Sequence, residues 1–387
     1  MPRLFISCGE PSGEFYGAEL VAELRKTIPD LDAFGLGGDR LASENVRLLA
    51  HLKDLAVVGL VEVLSHLRRL KRLFDSVVEE AARFRPDVAV LIDYPDFNLR
   101  LARELKRLGI PVVYYVSPQL WAWRSGRINA VKRDVAKMLV IFPFEEQIYR
   151  KADIPVTFVG HPLVDHVKPP TDRSAVAATL GLDGKRPIIA ILPGSRNKEV
   201  AYNLPPMLGA VELLRKRRPD LQFALAAAPH LRETALSAAT AAGVTVLKDV
   251  TREVLSSARA AIVASGTATV ETALTRTPMV VVYRLSGLTY ALGKPLVHVT
   301  NYAMVNLIAG EIVVPELIQG DFTPARVAEE TLKLIDESGP RETMLQNLDI
   351  VRGKLGGGGA TVRVAEEVKA FLRRRDSLPP ERGGLGG

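Results

Sequence analysis

The chain has one cysteine, Cys8, among 387 residues. No intramolecular disulfide can form, and no cysteine cluster can hold zinc. Its six histidines show no metal-ligand spacing. Tryptophan is almost missing, present only as Trp121 and Trp123. No apolar run approaches the ~18 residues a membrane-spanning helix needs. The opening stretch, MPRLFISCGEPSGE, has one arginine and a very short apolar run before glycine and glutamate. It predicts neither a signal peptide nor a spanning segment, so a cytoplasmic protein is expected. No G-x-G-x-x-G follows any strand candidate, which argues against a dinucleotide oxidoreductase.

What is present describes a globular chain. Hydrophobic residues make up 47% and charged residues 25%, enough for each of two ordinary domains to bury a core. The net charge of +7 favours anionic partners, either nucleic acid, a phosphorylated metabolite or an acidic membrane surface. A basic solvated surface with no partner is the alternative.

Short apolar runs alternate with helical patterns, which predicts parallel sheets covered by helices. In the first half the strand candidates are 4–7, 33–36, 88–92, 112–116, 138–141 and 156–159. Helical stretches fall at 15–27, 60–84, 98–108 and 144–151. GHPLVDHVKPPTDRS, residues 160–174, reads as a linker. The pattern then restarts with strand candidates 188–192, 222–226, 244–247, 260–264 and 279–282. Helices follow at 324–338, 341–355 and 360–375. The expected fold class is α/β, two Rossmann-like doubly wound domains in tandem. The charged, Pro/Gly-rich end, 376–387, is expected to be disordered.

Several loops carry candidate chemistry. In VAVLIDYPDFNLR (88–100) a buried strand runs into Asp93, and Asp96 follows Pro95. Ligands of open α/β sheets bind at strand ends. Asp93 should project from the strand end, where chemistry is expected, and Asp96 reads as an N-cap or a holder of the loop; alternatively both only cap the helix and fix the turn. CGEPSGE places Gly9, Ser12 and Gly13 where the first strand turns into a helix, either an anion cradle or a plain tight turn. ILPGSRNKE offers Gly194, Ser195 and the permanent charge of Arg196. VASGTATVE places Ser265, Gly266, Thr267 and Ala268 at a helix start, with Glu271 one turn on, within reach of ribose hydroxyls. Two such loops in one half-chain point to a nucleotide diphosphate there. Asp30 and Asp32 form a D-x-D before a strand, read as a solvated turn.

Two further segments are two-sided. In LVEVLSHLRRLKRLF (60–74), Leu60, Val63, Leu64, Leu67, Leu70, Leu73 and Phe74 make a helical stripe flanked by Arg68, Arg69, Lys71 and Arg72. Such a helix either rests on an anionic bilayer and offers acyl chains a groove, or packs on the core with a solvated basic face. His161, after a strand, reads as a hinge or interdomain contact rather than a catalytic group.

The segments GEPSGE (9–14), GLVEVL (59–64), IDYPDFN (92–98), YVSPQLWAWR (115–124), FVGHPLVD (158–165), LPGSR (192–196) and ASGTATVE (264–271), in this order, resemble the lipid-A-disaccharide synthase family. The resemblance reaches about residue 372. It implies a GT-B glycosyltransferase, with two domains facing a cleft: 1–165 for the acceptor and 166–345 for the UDP-sugar. A C-terminal helix, 360–375, is expected to pack back on the first domain. It also implies inverting transfer from UDP-2,3-diacylglucosamine to 2,3-diacylglucosamine-1-phosphate, giving lipid A disaccharide 1-phosphate and UDP. Asp93 matches the family's proposed base. Gly194, Ser195, Arg196, Ser265, Gly266, Thr267, Ala268, Glu271 and Asn306 fall to the nucleotide sugar. Asn306 either pairs with uracil or bonds local backbone. Ser12, Gly13, Glu14, Trp123 and Arg124 fall to the acceptor. No metal, cofactor or nucleic acid is expected; peripheral attachment to the anionic inner membrane is, and a homodimer is allowed. Two departures stand out, Glu14 where the family usually has Asp and Pro11 where it often has Ala. The rivals are another UDP-sugar enzyme, such as an epimerase or a transferase to a different lipid, and a non-catalytic nucleotide-sugar-binding protein.

Overall fold

Four strands read VAVLI, IIAIL, AAIVA and MVVVY, aliphatic without alternation and buried almost throughout. A strand apolar on both faces has to be covered on both, the condition of a parallel sheet flanked by helices. The computed structural model describes residues 1–52, 63–118, 126–285 and 301–372. It contains two such sheets.

The first sheet comprises β1 (Arg3–Cys8), β2 (Asp32–Gly37), β3 (Arg47–His51), β4 (Val88–Ile92), β5 (Val112–Tyr115), β6 (Lys137–Val140) and β7 (Val156–Phe158). Its order is β3-β2-β1-β4-β5-β6-β7, with every pair parallel. The second comprises β8 (Ile188–Leu192), β9 (Gln222–Ala227), β10 (Thr245–Lys248), β11 (Ala260–Ala264), β12 (Met279–Tyr283) and β13 (Glu316–Ile318). Its order is β10-β9-β8-β11-β12-β13, again parallel. Both are doubly wound. The order reverses between β1 and β4 in one sheet and between β8 and β11 in the other. Strands β3 and β13 were not expected. Both are edge strands, and RLLAH and ELI are too short and mixed to read as apolar runs.

The chain divides into two compact units. One is Met1–Pro162 together with the chain from Gly358 on; the other is Leu163–Gly357. The helix Ser338–Lys354 therefore lies in the second unit, past the expected end at 345. The helix Ala360–Leu372 lies in the first, burying Ala360, Val364, Ala365, Val368 and Leu372. There Thr157 Oγ1 donates to Glu367 at 2.7 Å, and Arg363 Nε donates to the Val159 carbonyl at 2.8 Å. The tail 376–387 lies outside the described residues.

The expected linker, 160–174, is not extended chain throughout. It holds the short helix Leu163–His166 and the start of the helix Arg173–Thr179. The Arg173 guanidinium donates to the carbonyls of Leu255, Ser256, Ala258, Thr275 and Arg276 at 2.9–3.2 Å. These include C-terminal carbonyls of the helices Thr251–Ser257 and Thr267–Leu274, the orphan acceptors that a cation satisfies best. Burial, with Arg259 and Arg276 nearby, lowers its pKa to about 10, which leaves it charged at neutrality.

Candidate functional site

Open α/β sheets bind ligands outside the carboxyl ends of their strands, where the strand order reverses. At the first reversal, β1 and β4 pair in parallel from Leu4 opposite Val88 to Cys8 opposite Ile92. The loop after β1 is CGEPSGE, and the loop after β4 begins with Asp93. Asp93 is half-buried, and its φ is +49°, as is that of Tyr94. Two successive left-handed non-glycine residues turn the chain sharply out of the strand, a conformation that costs free energy and tends to occur at functional sites. The helix that follows starts at Pro95, not at 98, because proline suits the first helical position. That corrects the N-cap reading of Asp96. Tyr94 holds the N-cap position, while Asp96 lies inside the first turn and pairs with Arg127.

The β1 loop meets this turn closely. A Cβ on Gly9 would lie 2.1 Å from Tyr94 Cγ, so only glycine fits there. The helix Pro11–Thr27 begins at once, again with proline in its first turn. Gly13 is buried against Ile92, while Ser12 is exposed near the helix start. Glu14 is buried and turned the other way. Its carboxylate accepts from the backbone N–H of Arg40 at 2.8 Å and of Leu41 at 3.4 Å, in the helix Asp39–Ser43 beyond β2. Glu14 thus acts as an internal cap, a role the sequence did not suggest. Trp123 and Arg124 lie outside the described residues, as do 53–62, 286–300 and 373–387.

At the second reversal, the loops after β8 and β11 differ in what their N–H groups face. After β8, Glu199 Oε2 accepts from the N–H of Ser195 at 3.1 Å and of Arg196 at 3.3 Å, and Oε1 from Arg196 Nη1 at 3.2 Å. Gly194 precedes them, and His230 Nε2 donates to the Ser195 carbonyl at 2.7 Å. The Ser195 amide, offered to phosphate by the sequence, is thus satisfied by an internal carboxylate. Glu199 sits in the first turn of the helix Asn197–Arg217 as a capping box. The Arg196 guanidinium, paired with Glu199, is exposed at the sheet's carboxyl edge.

The loop after β11 is open. Gly266 adopts φ +146°, and a Cβ there would meet nothing within 4 Å. The helix Thr267–Leu274 follows, so the first-turn N–H groups of Thr267 and Ala268 have no acceptor within their own helix. Ser265 Oγ donates to the Tyr302 carbonyl at 2.8 Å. Glu271 lies one turn on, mostly buried, with Arg252 Nε 3.7 Å away. Burial raises its pKa, and Arg252 opposes that rise.

Asn306 is fully buried and fully spent. Its Nδ2 donates to the Val314 carbonyl at 3.0 Å and to Glu316 at 2.7 Å; its Oδ1 accepts from the N–H of Val313 at 2.9 Å and of Val314 at 3.0 Å. An amide has two donors and one acceptor oxygen, so none is left for uracil, and local backbone is its partner. Asn306→Ala would strand several buried groups at once. It is expected to destabilise the second unit by about 2–4 kcal/mol while UDP affinity at low temperature stays unchanged. Urea unfolding and calorimetric titration check the two halves.

Leu70, Leu73 and Phe74 are partly buried against the first core, and Phe74 meets Phe97 edge-on at 5.4 Å, as the core-packing alternative expects for this part of the stripe. Arg68, Arg69, Lys71 and Arg72 are exposed. His161 is buried in the first unit between the rings of Tyr16 and Phe142. Burial lowers its pKa to about 3, so it is a neutral imidazole at physiological pH. The unfolded chain binds the proton that the folded one refuses, so stability is lost as pH falls through ~6.5. The loss between pH 7 and pH 5 is expected to be about 2 kcal/mol, and His161→Phe should flatten that slope in urea unfolding at the two pH values.

Some groups at the first reversal gave no signal in the sequence. Asn98 and Ser7 are fully buried polar residues, and Tyr114 is a fully buried phenol. All three bond around Asp93. Each looked like an ordinary member of its helix or strand.

Comparison with known proteins bears on these loops as a set. The family model for lipid-A-disaccharide synthetase matches residues 4–353. The chain is 46% identical to lipid-A-disaccharide synthase of Myxococcus xanthus over 374 residues, covering 96% of this chain and 98% of the relative. It is 46% identical to that of Koribacter versatilis over 386 residues, covering 97% and 100%. Among solved structures, UDP-GlcNAc 2-epimerase from Neisseria meningitidis bound to UDP-GlcNAc superposes with TM-score 0.68 at 13% identity, covering 96% and 100%. The calicheamicin glycosyltransferase CalG4 superposes with TM-score 0.59 at 16% identity, covering 98% and 100%. At such identities the structural likeness speaks for the fold alone.

Proposed function

The chain belongs to the lipid-A-disaccharide synthase family and is a glycosyltransferase that forms lipid A disaccharide; from that premise we propose the substrates, the stereochemistry and the residues that do the work. The donor is UDP-2,3-diacylglucosamine and the acceptor 2,3-diacylglucosamine-1-phosphate. Asp93 removes the proton of the acceptor's 6-hydroxyl as that oxygen attacks the anomeric carbon. The bond from that carbon to UDP breaks from the opposite face, so the configuration inverts, and UDP departs with the electron pair. One base suffices for such a displacement, without the close carboxylate pair of a retaining glycosidase.

The leaving diphosphate gathers negative charge. The N–H groups of Thr267 and Ala268, at a helix N-terminus opened by Ser265 and Gly266, are the donors suited to it. Arg196 adds a permanent charge from the neighbouring strand end. Glu271 accepts from the ribose hydroxyls. Ser12 and Gly13, at the other helix N-terminus, fall to the acceptor.

The observation that carries this reading is the placement of the motif loops. CGEPSGE and Asp93 follow the two strands at one reversal, and PGSR and SGTAT follow the two at the other. Attachment to an anionic membrane belongs to the same proposal, supported by the exposed Arg68, Arg69, Lys71 and Arg72. No helix among the described residues is long and apolar enough to cross a membrane.

The test supplies both diacylated sugars and looks for disaccharide phosphate and UDP in equal amounts, with and without EDTA. Disaccharide formation that survives EDTA supports the proposal. Epimerised UDP-sugar without disaccharide favours the epimerase rival, and bound UDP with no turnover favours the binding protein.

A further inference from the structure

Asp93 and Tyr94 each carry a φ of +49°, the left-handed region, one after the other. For non-glycine residues such backbone costs of order 1–3 kcal/mol each and persists only where the surroundings over-determine it. The surroundings here are specific. Asp93 N–H donates to the Tyr115 carbonyl at 3.1 Å, which extends the β4–β5 ladder by one bond. The Asp93 carbonyl accepts twice, from the Tyr114 hydroxyl at 2.6 Å and from Asn98 Nδ2 at 2.8 Å. Asn98 Nδ2 also donates to the Ile92 carbonyl at 3.2 Å, and its Oδ1 accepts from Ser7 Oγ at 2.8 Å. The Tyr94 carbonyl is taken by the N–H of Asn98 at 2.9 Å and of Phe97 at 3.2 Å.

The peptide groups on both sides of the Asp93 α-carbon are therefore fixed from three directions: β5, the helix Pro95–Arg107 and, through Asn98, β1. Tyr114, Asn98 and Ser7 are each fully buried. Burial, and secondarily the Asp93 charge, hold the Tyr114 hydroxyl well above its usual pKa, so it remains a donor. Polar side chains buried this deeply on one backbone carbonyl are costly unless paired, and here they pair on the residue that carries the carboxylate. Nothing in an ordinary strand-to-helix turn requires them.

We propose that Tyr114 and Asn98 are positioning residues for the transfer reaction: by clamping the Asp93 carbonyl they hold its left-handed backbone, and so aim its carboxylate at the acceptor hydroxyl. This rests on the reading of Asp93 as base. The clamp bonds the main chain, so it sets direction without consuming the basicity of the side chain. A misplacement of about 1 Å at a reacting group can cost ~10²-fold in rate.

The experiment is a double-mutant cycle on the full chain with both diacylated substrates. Tyr114→Phe removes one oxygen from a buried ring and little else. It is expected to lower kcat by about 10–100-fold with the KM of each substrate held within about twofold. In an Asp93→Asn background the same change is expected to alter the residual kcat by less than about twofold, because residues that act as a unit are not additive. Asn98→Asp, which keeps shape but removes the donor, should show the same pattern. Urea unfolding accompanies each variant, since a merely structural role would move the midpoint and leave kcat unchanged under folding conditions. Equal kcat losses from Tyr114→Phe in both backgrounds, or none in the native one, overturn the clamp while Asp93 stays the base. Near-normal kcat in Asp93→Asn alone overturns the reading of the base, and the clamp with it.

Discussion

Asp93→Asn is expected to lower kcat for disaccharide formation by about 10²–10⁴-fold, the usual contribution of a general base, and to leave the fold intact. The second half of that expectation comes from the backbone. The left-handed turn is held through the Asp93 N–H and carbonyl, by Tyr115, Tyr114 and Asn98, and all of these bonds survive the substitution. The side chain is half-buried, and an amide fills the same space. The substitution removes the carboxylate's charge, and with it the proposed proton acceptor. The KM of both substrates should change little, since the group acts on the transition state. Kinetics at saturating substrate, with an unfolding curve for the variant, check both parts. A kcat within about threefold of the native value would be too small a loss for a base.

Glu271→Ala is expected to weaken UDP binding by about 10–100-fold, the loss of hydrogen bonds to a charged acceptor. Glu271 follows the open turn Ser265–Ala268 by about one helical turn, so diphosphate on the first-turn N–H groups leaves the ribose at its carboxylate. Burial alone would push the group toward its neutral form; Arg252 at 3.7 Å opposes that. Calorimetric titration with UDP reads the effect directly. The kcat at saturating donor should remain within about threefold, because the ribose contact is present in ground and transition state alike. An unchanged UDP affinity would move the ribose elsewhere.

The two sheets were legible because their central strands are aliphatic on both faces, a composition with few other outcomes. VAVLI, IIAIL and AAIVA appear with the same bounds in sequence and structure. The edge strands β3 and β13 were not legible, since an edge strand is half-buried and needs no apolar run. Two helix starts were read several residues late where proline opened the helix, although the one at Pro324 was read correctly. Phe15 and Asn98 were the expected starts, against Pro11 and Pro95 in the structure. That displacement mattered, because it moved Asp96 from the cap into the first turn.

The placement of the candidate loops was legible for a similar reason. Small residues directly after an aliphatic strand mark a turn at the sheet's carboxyl edge, and the strand order put two pairs of them at the reversals. What individual side chains do there was much less so. Glu14 and Asn306 look like ligand groups in sequence, and Glu199 carries no signal there at all. In the structure each accepts from backbone N–H groups, and for Glu14 those lie beyond β2. The partner of a polar side chain depends on which backbone donors the fold leaves unpaired beside it. No local pattern records that. The same holds for Asn98 and Tyr114, whose roles appear only when β5 and the helix after β4 lie beside the same carbonyl.

The central claim is that UDP binds on the turn after β11 while Asp93 faces the acceptor. A crystal structure of the protein with UDP and the acylated sugar phosphate tests it most directly. The account predicts phosphate oxygens on the N–H groups of Thr267 and Ala268, and an Asp93 carboxylate oxygen about 2.6–3.2 Å from the acceptor's 6-hydroxyl. UDP seated against CGEPSGE, or an Asp93 carboxylate turned away from every acceptor hydroxyl, would contradict it.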